Sequence, residues 1–390
     1  MIWKLIAAML LALCSACTSI PSQQSSNGSG ASTSSGTDSD ASNDKPRSNT
    51  VPVGRVEAEV FSASEGTLDV GIVVFDEGLA NNNGDLFPTV RKAESLIFPT
   101  VLADYLTDSN AFGVVRVVPS SSVNTPLQVQ AQIVTADGQE LELAVKLIDA
   151  GNRVLLTRNY RDIAASEDYP VSRGDEPFSD LYKSIANDLG RTIQGIDADS
   201  RQRLDRLAAA RFAAEIAPEA FSRFLAPSKA QGTGETAYEL VSFPAEGDPM
   251  LRRLQRMQRQ DALFVDTADE QYRELYSEVR DSYNLWREYS FELERFGEQY
   301  REEAAGRKST ARRGSFAAMQ QSYASFRKVK IQEEDLSDLV NGFTGESLET
   351  VLRVDDGVFR LQGSVDERYL EWRRILTRIN ELEVGIDPNS

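Results

Sequence analysis

Between residues 127 and 160, consecutive stretches of the chain alternate apolar and polar side chains: LQVQAQIV (Leu127 to Val134), LELAVKLID (Leu141 to Asp149) and RVLLTRNY (Arg153 to Tyr160), joined by TADGQ and AGN. Successive side chains of a strand point to opposite faces, so each stretch carries one apolar and one polar face. The short Gly-bearing joints fit hairpins. The pattern therefore predicts an antiparallel meander, wet on one face and in need of a cover on the other.

The flanking sequence supplies the cover. VGIVVF (Val70 to Phe75) is a continuous apolar run, as in a strand buried on both faces. After the loop EGLANNNGD, PTVRKAESLIFPTVLADYLTDS places Ala93, Leu96, Ile97, Val101, Leu102 and Tyr105 at helical spacing, with Pro99 interrupting or kinking the helix. FGVVRVV (Phe112 to Val118) makes a second buried strand, and the crossover is long enough for the two to be parallel. FSDLYKSIANDLGRTI, with Leu181, Ile185 and Leu189 on one stripe, closes the region as a helix. The order β-α-β-β-β-β-α over 51–196 predicts an α/β (or α+β) sandwich domain with residues enough for one core.

From 197 to 345 the texture is mainly α-helical, with a long helical hairpin. SRQRLDRLAAARFAAEIAPEAFSRFLA is helical in period until Pro218 breaks it, with Phe221, Phe224 and Leu225 continuing beyond. YELVSF reads as a short strand. Asp248 and Pro249 read as N-cap and first residue of a long helix. Within that helix Tyr272, Tyr276, Tyr283, Trp286, Tyr289, Phe291 and Phe296 form an aromatic stripe. Two readings stand open: packing against another helix, or an exposed face for a partner or glycan strand built on Tyr283, Trp286 and Tyr289. GRKSTARRGS (Gly306 to Ser315) reads as a basic joint that either docks an anionic surface or is a solvated loop. Residues 346–390 hold a β-hairpin turning at Asp355-Asp356-Gly357 and a helix opened by a Ser364/Glu367 capping box. That hairpin either joins the first sheet or forms its own module.

The chain's two cysteines stand in LALCSACTSI, after Lys4 and the apolar LIAAMLLAL. A basic residue, an apolar stretch too short to span a bilayer, and small residues make a secretory signal. A C-x-x-C redox site would instead need a folded context that lowers a thiol pKa. The stretch resembles bacterial lipoprotein signal peptides, whose last residues before the lipidated cysteine are Leu and two small residues. With Cys14 as acceptor the bulky Leu13 would sit at the cleavage position; with Cys17, Ala16 sits there and Cys14 stands in for Leu. The resemblance thus implies a signal peptide over 1–16, lipidation at Cys17 and, with Thr18 rather than Asp following, anchoring on the periplasmic side of the outer membrane. A plain secreted protein cleaved nearby is the alternative. Residues 17–50, rich in Ser, Gly, Asn and Asp, hold almost no apolar side chain and read as a disordered tether. As a coil it would span roughly 30 Å.

Composition narrows the chemistry. The chain has no histidine, which removes the commonest general base and metal ligand. With Cys17 acylated, no free thiol would remain. Glu333-Glu334-Asp335 and Asp355-Asp356 lack the spacing of a calcium loop, and EGLANNNGD lacks that of a phosphate loop. No catalytic constellation, metal site or cofactor is expected. A net charge of −18, from 60 acidic and 42 basic residues, disfavours nucleic acid as a partner.

Residues 68–193, with VGIVVF, the helix, FGVVRVV, LQVQAQIV and LELAVKLIDAGNRVLLTRNY around its D-x-G-N turn, resemble the amino-terminal domain shared by TolB and by the curli-secretion and penicillin-binding-protein-activator lipoproteins. The resemblance implies a periplasmic, non-enzymatic domain that binds other envelope proteins or assembles into rings. The helical second half departs from that pattern. The expectation is a lipid-anchored adaptor or structural component of an envelope assembly, held to the membrane by its N-terminal lipid. The alternative is a peptidoglycan- or glycan-binding module or a carboxylate-dependent hydrolase.

Overall fold

The computed structural model describes residues 50–62, 66–79, 87–172, 175–229, 236–245, 247–306, 314–344, 349–354 and 357–384. The signal segment and the tether up to residue 49, most of the EGLANNNGD loop, the core of the basic joint (307–313) and the Asp355-Asp356 turn lie outside these. The chain passes through β1 (Thr50–Pro52), β2 (Val70–Val73), α1 (Pro88–Asp108), β3 (Val115–Val118), β4 (Leu127–Ala136), β5 (Glu140–Asp149), β6 (Val154–Ile163) and α2 (Ser179–Gln194). Its six strands form one sheet in the order β1-β6-β5-β4-β2-β3.

The meander β4-β5-β6 is antiparallel, as its alternation predicts. β2 lies parallel to both β3 and β4, as its helical crossover requires. In β5 Leu141, Leu143, Val145 and Leu147 are fully buried, while Glu140 and Glu142 keep contact with solvent. α1 and α2 cover the buried face. Between β1 and β2 the chain straps across α2, where Asn187 accepts the Glu59 N–H at 2.8 Å and donates to the Glu57 carbonyl at 2.9 Å. Only a glycine fits at position 190, because a Cβ there would stand 2.2 Å from the Phe61 ring.

α1 is buried nearly all round, not along one stripe. Ala93, Leu102, Ala103 and Leu106 expose nothing, and Glu94, Ser95 and Thr100 are buried with them. A helix of this kind lies between layers, and here the sheet is on one side and a second set of helices on the other. Pro99 leaves the helix continuous. Proline has no N–H for the carbonyl four residues back, and the freed Ser95 oxygen accepts the Phe75 N–H at 3.0 Å as the chain leaves β2.

The second half runs through α3 (Ala198–Ile216), α4 (Pro218–Phe221), β7 (Leu225–Lys229), β8 (Thr236–Leu240), α5 (Pro249–Gly306), α6 (Gly314–Thr344), β9 (Glu349–Val354), β10 (Gly357–Gln362) and α7 (Val365–Val384). The helical reading of Leu225 is corrected: after α4 a 3-10 turn carries Ser222–Phe224, and Leu225 opens a strand antiparallel to β8. Pro227 is the physical reason, since the residue before a proline is driven to extended backbone. Asp248 caps α5 as expected, its Oδ1 accepting the Met250 N–H at 2.8 Å. With 58 residues, α5 is about 87 Å long. α6 returns antiparallel to it, bringing Tyr272 against Phe343 and Tyr289 against Lys328.

β9 and β10 pair only with each other, so the hairpin is a separate two-stranded sheet and does not join the main one. It seats on α5 and α7 through Leu352, Leu361, Tyr369 and Trp372, all buried. The capping box is formed: Ser364 N–H donates to Glu367 at 2.9 Å and Glu367 N–H to Ser364 Oγ at 3.2 Å. Segments 51–196, 197–345 and 346–390 contribute to one continuous core.

α5 also closes one border of the main sheet. Asp269 Oδ1 accepts the Val117 N–H of β3 at 2.7 Å, and Asp266 accepts Arg116 Nε at 2.5 Å. A helix bearing carboxylates thus occupies the place of a further strand, one of the ways in which proteins blunt an open edge.

Candidate functional site

Cys17 lies outside the described residues. Of the expected aromatic site, Tyr283 and Trp286 are 4 % and 2 % exposed. Their rings stack on each other at 5.9 Å, with Phe87 edge-on to Trp286 at 5.8 Å and Phe98 edge-on to Tyr283 at 6.1 Å. An exposed binding face built on Tyr283 and Trp286 is therefore corrected to a core seam between α5 and α1. Apolar partners on α1 and just before it remove both rings from water. Tyr289 is half-buried, with Lys328 Nζ 4.6 Å from its ring centre.

A charged network threads this seam. Tyr283 O–H donates to Glu94 Oε1 at 2.9 Å, and Arg91 Nη1 donates to Glu94 Oε2 at 2.9 Å. Burial, with the Glu94 carboxylate beside it, drives the Tyr283 phenol well above its ordinary pKa. Next along α5, Arg287 forms two bonds to Glu176, 2.8 and 3.0 Å, and a third to Asn284 at 2.7 Å. Its guanidinium lies 5.1 Å from the Tyr283 ring centre. Gly138, in the β4–β5 turn, lets this turn touch the α5 backbone: its φ is +85°, and a Cβ would stand 2.4 Å from the Arg287 carbonyl oxygen. The Arg91/Glu94 pair is legible as an i,i+3 neighbour pair; Glu176 with Arg287 is not, because 111 residues separate them.

A second buried cluster joins α5, α7 and α3. Asp261, 7 % exposed, receives the Tyr369 O–H at 3.4 Å and lies 3.6 Å from Arg373, which also binds Glu215 at 2.5 Å. Burial pushes the Asp261 carboxyl up to about 6, with Arg373 opposing. The folded state thus holds this proton more tightly than an unfolded chain, whose Asp titrates near 3.9. The stabilisation is complete below about pH 4 and is lost as pH rises through about 6. Asp261→Asn is expected to flatten the fall in urea midpoint between pH 4 and pH 7. Asp162, also pushed to about 6 by burial, keeps a residual slope. An unchanged slope in the variant would sink this assignment.

At the opposite end of β5 from Gly138, β5 and β6 meet in the D-x-G-N turn. Asp149 Oδ1 accepts the N–H groups of Gly151 and Arg153 at 2.8 and 3.0 Å, and its Oδ2 accepts Arg153 Nε at 2.8 Å. The turn is held from outside: Gly151 C=O accepts the Tyr238 N–H at 3.1 Å, and Arg211 donates to Ala150 C=O at 2.7 Å. Next to it opens a cleft of about 900 Å³, with Val154 and Leu155 of β6 on one wall, Ile196, Asp197 and Leu204 on another, and Tyr238 and Leu240 of β8 on a third. Apolar and charged side chains line it together, the charged ones including Arg153, Asp197, Arg203 and Glu239. Sequence reasoning missed this cleft, whose walls come from widely separated segments.

No protein-family model matches the chain, and no curated protein or solved structure matches it.

Proposed function

We propose that the chain is a lipoprotein of the outer membrane, anchored through lipid on Cys17 and facing the periplasm, that acts without catalysis as an adaptor or structural component of an envelope assembly. The observation that carries this reading is the N-terminus. An apolar segment closed by Ala16-Cys17 is followed by a Ser/Gly/Asn/Asp-rich stretch that reaches the fold at Thr50, where β1 begins. Fully extended, that stretch could hold the folded part about 100 Å from its anchor. The order β2-α1-β3-β4-β5-β6-α2 supports an α/β domain of the type shared by TolB and the curli-secretion and penicillin-binding-protein-activator lipoproteins.

Cys17→Ala is expected to abolish acylation and membrane retention, both read by mass spectrometry of fractionated envelopes, while Cys14→Ala keeps them. Loss in Cys14→Ala instead would move the acceptor. For the adaptor role, crosslinking in intact envelopes is expected to recover a stoichiometric protein partner. Recovery of peptidoglycan alone would overturn it.

A further inference from the structure

Arg368 stands in the first turn of α7 and exposes nothing to solvent. Two other buried arginines each face a carboxylate, Arg91 with Glu94 and Arg287 with Glu176. Arg368 has no such partner among the described residues, and the groups it bonds are neutral. Its Nη1 donates to Thr350 Oγ1 of β9, its Nε donates to the Ser364 carbonyl at 3.4 Å, and its Nη2 has no hydrogen-bond partner among the described residues. Of the acids in the same turn, Glu367 is turned to Ser364 in the capping box, and Asp366 is exposed and not ion-paired with Arg368. Burial pulls the Arg368 guanidinium below its ordinary pKa, whereas Arg287 is raised, its burial outweighed by Glu176. A charge taken out of water without a counter-charge is among the costliest groups a fold can hold. Its place adds to that cost, because the first turn of a helix is the positive end of the macrodipole and favours anions over cations.

Hydrogen-bond donors gather around Thr350. Gln271 of α5 holds Nε2 3.5 Å from the same hydroxyl oxygen, and its Oε1 has no partner among the described residues. The terminal torsion of a glutamine is soft, and the amide turned over presents NH2 where Oε1 now stands. Thr350 Oγ1 accepts from Arg368 and keeps its own hydrogen to give. Arg368, Thr350 and Gln271 thus bring a charge and three donor groups together from α7, β9 and α5.

We propose that Arg368, Thr350 and Gln271 bind a small monovalent anion of halide size, held by Arg368 Nη2 and the Thr350 hydroxyl, with the Gln271 amide turned to donate. The anion supplies the counter-charge and answers the positive end of α7. It ties β9 and α7 to α5, so the seating of the C-terminal hairpin and helix on the long helix depends on it. Arg368 is 0 % and Thr350 4 % exposed, so the site suits a bare ion and not the end of a larger molecule.

The test is urea unfolding of the full chain in sodium gluconate, whose anion is too large for the site, with chloride substituted for gluconate at constant ionic strength. Once the site fills, each tenfold rise in chloride is expected to lower the unfolding equilibrium constant by up to about tenfold. Arg368→Met, which keeps much of the side-chain volume and removes the charge, is expected to show no such dependence. Equal dependence in the two chains overturns the proposal, as does a parent that does not respond to chloride. Crystals of the parent grown in sodium bromide give a readout that does not rest on the variant folding. Anomalous scattering is expected to place one bromide against Arg368 Nη2, and no bromide there overturns the proposal.

Discussion

Replacing Glu176 by alanine is expected to lower the unfolding free energy by about 3–5 kcal/mol, because a buried charge would lose its partner. Arg287 is 3 % exposed and Glu176 only 11 %, so water cannot take over the two bonds that the carboxylate makes. Among the described residues, Asn284 Oδ1 and the face of the Tyr283 ring would then be left beside the guanidinium. Urea denaturation at neutral pH measures the loss. The double variant Glu176→Leu/Arg287→Met is expected to lose much less than Glu176→Ala, since a buried ion pair adds little over apolar groups of similar volume once both charges are gone. Equal losses in the two variants would show that the carboxylate matters through its packing and not through its charge.

Trp286→Ala is expected to cost a similar amount, about 3–5 kcal/mol, as a large ring leaves a cavity between α5 and α1. Phe87 and Tyr283 would each lose the ring against which they now lie. The indole N–H has no hydrogen-bond partner among the described residues. Trp286→Phe therefore removes an unsatisfied donor along with some volume, and is expected to cost only about 1–2 kcal/mol. Denaturant midpoints for the two variants separate these outcomes. A loss below about 1 kcal/mol in Trp286→Ala would contradict the seating of α5 on the α/β layer.

The Trp286 effect falls where sequence reading left a choice open, and the Glu176 effect where it saw nothing. Tyr283 and Trp286 recur at helical spacing whether their stripe is buried or exposed, and the spacing cannot say which element covers it. The cover is α1, nearly two hundred residues earlier: 189 separate Glu94 from Tyr283. A helical hairpin partner explained only part of the stripe, Tyr272 on Phe343 and Tyr289 under Lys328. α1 itself hinted at this role, because its apolar residues surround the helix and a helix of that kind needs cover on more than one side.

Strands and caps were the most legible features. The alternation of 127–160, the Asp248-Pro249 start of α5 and the Ser364/Glu367 box all depend on neighbours a few residues apart, and the structure holds each of them. β1 and β7 were not legible. Thr50-Val51-Pro52 and LAPSK carry a proline each and no alternating run, so only the strand lying beside them makes them strands.

By itself, then, the sequence determined where most elements begin and end and which face of the meander is wet. Each of these follows from side chains close along the chain. The tertiary structure alone decided that α5 closes the β3 border through Asp266 and Asp269, that Glu176 and Arg287 pin it down, and that Arg153, Asp197 and Tyr238 line one cleft. Those features join residues dozens to well over a hundred positions apart, whose pairing depends on how the layers stack and not on any local pattern.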